Sequence, residues 1–119
     1  MSRALLFIDD DLDVREAFGD LFEFAGWTMA YAVDGAEALA WLEANGAPAA
    51  IVLDLKMPGM DGYEFRKRQL ADERWRAVPT VVFTADTNVD GRSALEGAPV
   101  VRKSASFVEL AAVLDQLTR

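Results

Sequence analysis

Ile51-Val52-Leu53-Asp54-Leu55-Lys56-Met57-Pro58-Gly59-Met60-Asp61-Gly62 is the stretch on which the fold turns. An apolar run from Ala49 to Leu53 reads as a strand buried on both faces, Asp54 ends it, and Pro-Gly and Asp-Gly turns follow at once. Taken alone, Asp54 is equally well explained as a turn residue that opens a loop. Two other places in the chain shift the balance. Asp9-Asp10-Asp11 also follows an apolar run directly, and Lys103 ends a third. Carboxylates and a lysine at three strand ends form a site if those strands are neighbours in one parallel sheet.

Working outward, the rest of the chain alternates between two hydrophobic periods. Ala4 to Ile8 reads as a first buried strand, with Asp9 to Asp11 at its carboxyl end. From Asp13 the spacing becomes helical: Val14, Ala17, Phe18, Leu21, Phe22 and Ala25 share a face until Gly26. Trp27 to Val33 is the second strand. Asp34 with Glu37 three residues later is a capping-box spacing that opens a second helix, closed by Gly46. After the central strand a helix is expected from about Gly62 to Ala71, with Arg66, Lys67 and Arg68 on its exposed face. Thr80 to Thr84, introduced by Pro79, is rich in β-branched residues and ends on a hydroxyl. Asn88 to Gly97 is polar and contains two glycines, so it supports only a short or irregular helix. Val100 and Val101 make a very short last strand before Lys103. Ser106 and Glu109 form a second capping box, and Phe107, Leu110, Leu114 and Leu117 line the final helix.

Strand and helix alternating five times predict an α/β fold, a doubly wound parallel sheet with helices on both faces. Ligands in such sheets bind beyond the carboxyl ends of the strands, where the strand order reverses. Residues 1–119 are expected to form one domain, and termini close to element ends point to a stand-alone one. Composition excludes several functions. With no Cys and no His, serine or cysteine hydrolase triads and zinc-thiolate sites have no residues to build them. A net charge of −8 disfavours direct contact with nucleic acid or an anionic membrane. No signal peptide or spanning segment is present in the sequence, so a cytoplasmic location is expected.

Asp10 and Asp54 suit Mg2+, a hard cation held by one or two carboxylates together with water and ligand oxygens. An ionised Asp with a free oxygen can attack phosphorus and form an acyl phosphate. The transferred group's negative charge then needs a metal, an ammonium such as Lys103 and a hydroxyl such as Thr84. Each member has a simpler reading. Asp11 or Asp13 caps the first helix, Thr84 alone is a β-former, and Lys103 alone is a solvated charge. Phe18, Phe22, Trp41 and Phe107 read as core.

Four segments, Phe7 to Asp11, Val52 to Gly62, Pro79 to Ala85 and Val100 to Lys103, together resemble the receiver domain of two-component response regulators. The resemblance covers essentially the whole chain. It implies a flavodoxin-like sheet with strand order 2-1-3-4-5. It also implies that Asp54 accepts a phosphoryl group from a sensor histidine kinase or phosphotransfer protein, and that the signal passes to a further protein. Asp10, Asp54 and the backbone carbonyl of Lys56 would hold Mg2+, with Asp9 helping through water. Thr84 and Lys103 would contact the phosphoryl group. The domain would be a phosphoacceptor in a signalling relay, not an enzyme in its own right.

Three departures from the family pattern stand out. Ser104 follows Lys103 where receivers usually carry Pro on a cis peptide, so a trans, differently placed loop is expected. The aromatic position three residues before the lysine is Val100, which has no ring to swing inward and few rotamers. The span from Thr84 to Lys103 is also a few residues short, so output through a surface other than the usual fourth-helix face is expected. Lys56 and Asp86, each two positions beyond a site residue, are placed to pair across the pocket mouth. Two other functions compete. A receiver-fold module that binds partners independently of phosphorylation fits the altered loop but not the intact acidic set. An aspartate-nucleophile phosphatase needs a second Asp two positions on, where Lys56 stands.

Overall fold

The apolar runs become strands because each can be buried on both faces, and the amphipathic segments between them become the helices that bury them. A computed structural model describes residues 3–85 and 95–119. The chain runs β1 (Arg3–Ile8), α1 (Leu12–Phe24), β2 (Trp27–Ala32), α2 (Gly35–Asn45), β3 (Ala50–Leu53), α3 (Gly62–Ala71), β4 (Thr80–Thr84), β5 (Val100–Arg102) and α4 (Phe107–Leu117). All four strand pairings are parallel, in the order β2-β1-β3-β4-β5. The expected fold class and strand order are therefore those observed. Most of the segment foreseen as a short or irregular helix, Asn88 to Gly97, lies outside the described residues; Leu95 to Gly97 form a turn.

Strand alternation divides the core into two layers. Leu5, Phe7, Val52, Val81, Phe83 and Val101 face α1 and α4, where Phe22, Leu110 and Leu114 meet them. Leu6, Ile8, Ile51 and Leu53 face the opposite way, against Ala38 and Leu42 of α2 and Phe65 of α3. Each such large side chain taken fully out of water contributes roughly 1.5–3 kcal/mol, so the central strands are the most strongly held part of the fold. Aromatic rings lock the first layer: Phe18 meets Phe83 at 4.9 Å and Phe22 meets Phe107 at 4.8 Å, both edge to face.

Helix starts follow the expected chemistry. Asp34 Oδ1 accepts the Glu37 amide at 2.8 Å, and Glu37 Oε1 accepts the Val33 amide at 3.3 Å. Ser106 Oγ accepts the Glu109 amide at 3.3 Å. Asp11 caps α1, taking the amides of Asp13 and Val14. Asp61 caps α3 through the Glu64 amide at 2.9 Å, a cap hidden in the sequence by the turn signals around it.

Two expectations about faces are corrected. The buried stripe of α1 is narrower than its apolar pattern, since Val14, Phe18 and Phe22 pack while Ala17 and Ala25 are exposed and Leu21 is 45% exposed. Rotation by 100° per residue turns Ala17 away from the 14/18/22 line, and Ala25 lies just past the helix end. On α3, Lys67 and Arg68 are exposed as expected, but Arg66 is buried. Its guanidinium finds acceptors inside, on the Leu95 carbonyl and Gln69, which make that burial tolerable.

Candidate acidic site at the strand ends

Sheet register puts the acidic residues side by side. Ile8 of β1 pairs with Leu53 of β3, so Asp9 and Asp54 emerge level, each one residue past its strand. The backbone fixes both, with the Asp9 amide donating to the Ala32 carbonyl at 3.0 Å and the Asp54 amide to Ile8 at 2.9 Å. Leu53 pairs with Val82, which places Thr84 one step beyond Asp54 on the neighbouring strand, where it is buried. The Thr84 carbonyl accepts the Lys103 amide at 2.9 Å and so anchors the lysine as β5 ends. β1 and β3 are neighbours although β2 intervenes in sequence, so the site stands at the reversal of strand order.

Lys103 closes the cluster. Its Nζ lies 2.7 Å from Asp9 Oδ2 and 3.2 Å from Asp54 Oδ2. Asp54 Oδ1 accepts the Leu55 amide at 2.8 Å, and Asp9 Oδ1 accepts the Asp11 amide at 2.9 Å. Asp9 and Asp54 are buried and Asp10 is exposed at the rim. Burial, with the Asp9 charge beside it, pushes the Asp54 carboxyl above its ordinary range, against the pull of Lys103 and the Leu55 amide. Burial works to lower the Lys103 ammonium, but the bond to Asp9 and the attraction of both carboxylates outweigh it and the group is held up. Two buried carboxylates thus share one ammonium.

That imbalance describes a cation site. Carboxylate oxygens of Asp9, Asp10 and Asp54 all lie within 4.8 Å of one another. Asp9 Oδ2 is buried and, apart from its ion pair with Lys103, is without a hydrogen-bond partner. An all-oxygen donor set in which two buried carboxylates share one ammonium fits a hard divalent cation. Lys56 lies exposed in the loop just past Leu55. Asp86, its expected partner, is outside the described residues. No peptide bond is cis among the described residues, so the Lys103–Ser104 bond is trans, as the missing proline implied.

Sequence reasoning missed two supports. Arg15 Nη1 donates to the Asp9 carbonyl at 2.6 Å, holding the acidic loop from the first turn of α1. Gly62 begins α3 directly behind the loop after β3: a Cβ there would fall 2.2 Å from the Asp54 carbonyl oxygen and 2.8 Å from Leu55 Cα. The Gly62 amide donates to the Leu55 carbonyl at 3.0 Å, and the lack of a Cβ lets the helix start this close to the loop. The Asp61-Gly62 pair was legible as a turn, but not as this close approach.

A five-stranded parallel sheet with an acidic pocket and a lysine at its switch point has its polar cluster where ligands bind in doubly wound sheets. The profile of the response regulator receiver domain matches residues 5–114, and the chain belongs to that family. Among characterised proteins, it is 40% identical over 96 residues to response regulator MprA of Mycobacterium ulcerans, covering 79% of this chain and 39% of that one. The M. tuberculosis protein of the same name is 38% identical over 96 residues, with 79% and 40% covered. The chain thus spans about two-fifths of the length of these relatives. Among solved structures, the Francisella response regulator 1452 receiver domain superposes with a TM-score of 0.84 at 27% identity, covering 98% and 97% of the two chains. Chemotaxis response regulator CheY4 of Vibrio cholerae gives 0.86 at 25% identity, covering 98% and 99%. No helix among the described residues is long and apolar enough to cross a membrane.

Proposed function

We propose that Asp54 is the phosphoacceptor of this receiver domain, loaded from a phosphohistidine on a sensor kinase or phosphotransfer protein. The observation that carries the reading is the convergence of Asp9, Asp54 and Lys103, from the ends of three strands, into one ion-paired cluster. An Asp54 oxygen bonds to phosphorus as the P–N bond breaks, and the imidazole leaves with the electron pair. Asp9, Asp10, Asp54 and the Lys56 carbonyl would hold Mg2+, with Asp9 acting through water; the ion supplies charge neutralisation for the incoming phosphoryl oxygens. Lys103, already fixed within 3.2 Å of Asp54, neutralises another share of that charge. The Thr84 hydroxyl, one register step along, contributes a hydrogen bond to the same group.

On this reading the domain is a relay element and not an enzyme, acting in the cytoplasm on a further protein. Its acidic character, −8 overall, favours a basic partner surface over nucleic acid. Intact-mass measurement with acetyl phosphate tests the assignment. Wild type gains one phosphoryl group only with Mg2+, Asp10→Asn gains it far more slowly, and Asp54→Asn not at all. Equal uptake by wild type and Asp54→Asn removes Asp54 from the role.

A further inference from the structure

A second polar cluster lies buried on the α3 side of the sheet, away from the acidic site. Arg66 is 6% exposed and Gln69 fully buried, one helical turn apart on α3. Arg66 Nη1 donates to Gln69 Oε1 at 2.9 Å, and Arg66 Nε to the Leu95 carbonyl at 3.0 Å. Gln69 Nε2 reaches the Trp75 carbonyl at 3.1 Å and Thr80 Oγ1 at 3.0 Å, at the first residue of β4. One helix therefore holds the start of β4 through Gln69 and the turn that feeds β5 through Arg66.

The turn needs such a hold. Glu96 and Gly97 are both left-handed, with φ 49° and 76°, and the Ala98 amide closes the turn onto the Leu95 carbonyl at 3.1 Å. Glu96 meets the steric penalty that L residues carry there, and burial makes the Arg66 guanidinium harder to keep protonated while the Glu96 charge favours the protonated form. Beyond the turn, β5 is a three-residue edge strand, too short to specify its own register by burial. A slip of one residue would withdraw Lys103 from Asp9 and Asp54.

We propose that Arg66 is a positioning residue that ties α3 to the Leu95–Ala98 turn and so sets the β5 register that brings Lys103 to the acidic site. The kinetic arm of this inference rests on the phosphoacceptor reading above; its structural arm does not. The variants are Arg66→Met, Arg66→Met/Gln69→Leu, which replaces the ion-dipole pair with apolar groups, and Arg66→Lys, which keeps one donor. Native-state amide exchange is followed at Ala98 and Val101, with Val52 in β3 as the internal reference, alongside phosphoryl uptake from acetyl phosphate with Mg2+.

Loss of the charged hydrogen bond is expected to raise exchange at Ala98 and Val101 about ten-fold relative to Val52 in both Met variants. Uptake falls several-fold in the same proteins, even where the double variant is as stable as wild type, and Arg66→Lys recovers part of both. If Arg66→Met alone does not fold, the double variant decides. Exchange that rises equally at Val52, or uptake at the wild-type rate in the double variant, overturns the inference. A wild type that takes no phosphoryl group defeats the phosphoacceptor reading, and the exchange ratio alone then decides the tether.

Discussion

Two buried polar clusters sit on the same sheet and are built on opposite rules. Around Arg66, each donor that bonds has a neutral acceptor: a carbonyl, an amide oxygen or a hydroxyl. Around Asp54, two buried carboxylates crowd one ammonium. The first cluster is a buried cation held by neutral dipoles, and the second carries two negative charges to one positive. Of the two, the crowded carboxylates are the pair that a bound cation would complete.

The strongest way to break that comparison is to disturb the joint between the clusters. Gly62→Ala drives a methyl into the Asp54 carbonyl, and should lower stability by about 4 kcal/mol, read as a shift in urea midpoint at unchanged slope. Gln69→Leu alone leaves the Arg66 guanidinium short of its side-chain acceptor and should lose about 3 kcal/mol. Combined with Arg66→Met most of that loss should return, because the Trp75 carbonyl still accepts the Val78 amide and the Val78 carbonyl the Thr80 hydroxyl. A double variant no more stable than Gln69→Leu would show that the cluster is not the balanced unit described.

The acidic cluster should respond the other way. Mg2+ at ten times its dissociation constant should stabilise wild type by about 1.4 kcal/mol in thermal or urea unfolding, and Asp10→Asn much less. The smallest effect is expected from Asp54→Asn in chelator, a gain of about 1 kcal/mol over wild type. Its sign follows from the raised Asp54 pKa. The folded state holds that proton more tightly than the unfolded chain, so wild type loses stability as pH rises from the ordinary carboxylate range through the folded value. The gain should vanish in acid and be complete at neutral pH. A destabilised Asp54→Asn at neutral pH would mean that Lys103 more than offsets the repulsion from Asp9.

The central strand, the caps at Asp34 and Ser106 and the three strand-end residues were legible because each is written locally, as an apolar run, a three-residue spacing or a charge after a run. Strand order needed a family resemblance, since periodicity does not say which strands are neighbours. Arg66 was not legible. Its neighbours Lys67 and Arg68 are solvated, and a basic trio on a helix looks the same in sequence whether or not a carbonyl waits 29 residues downstream. Gly62 likewise reads as half of an Asp-Gly turn, and only the packed loop shows what stands behind it.

That glycine has a directional consequence. The Asp54 backbone is pinned in front by β1 and backed at its carbonyl by the first residue of α3. A phosphoryl group added to the side chain therefore cannot be absorbed by recoil of the main chain. On the proposed role of Asp54, the added bulk and charge would be met by Thr84 and Lys103, the groups beside the carboxylate on the β4–β5 side.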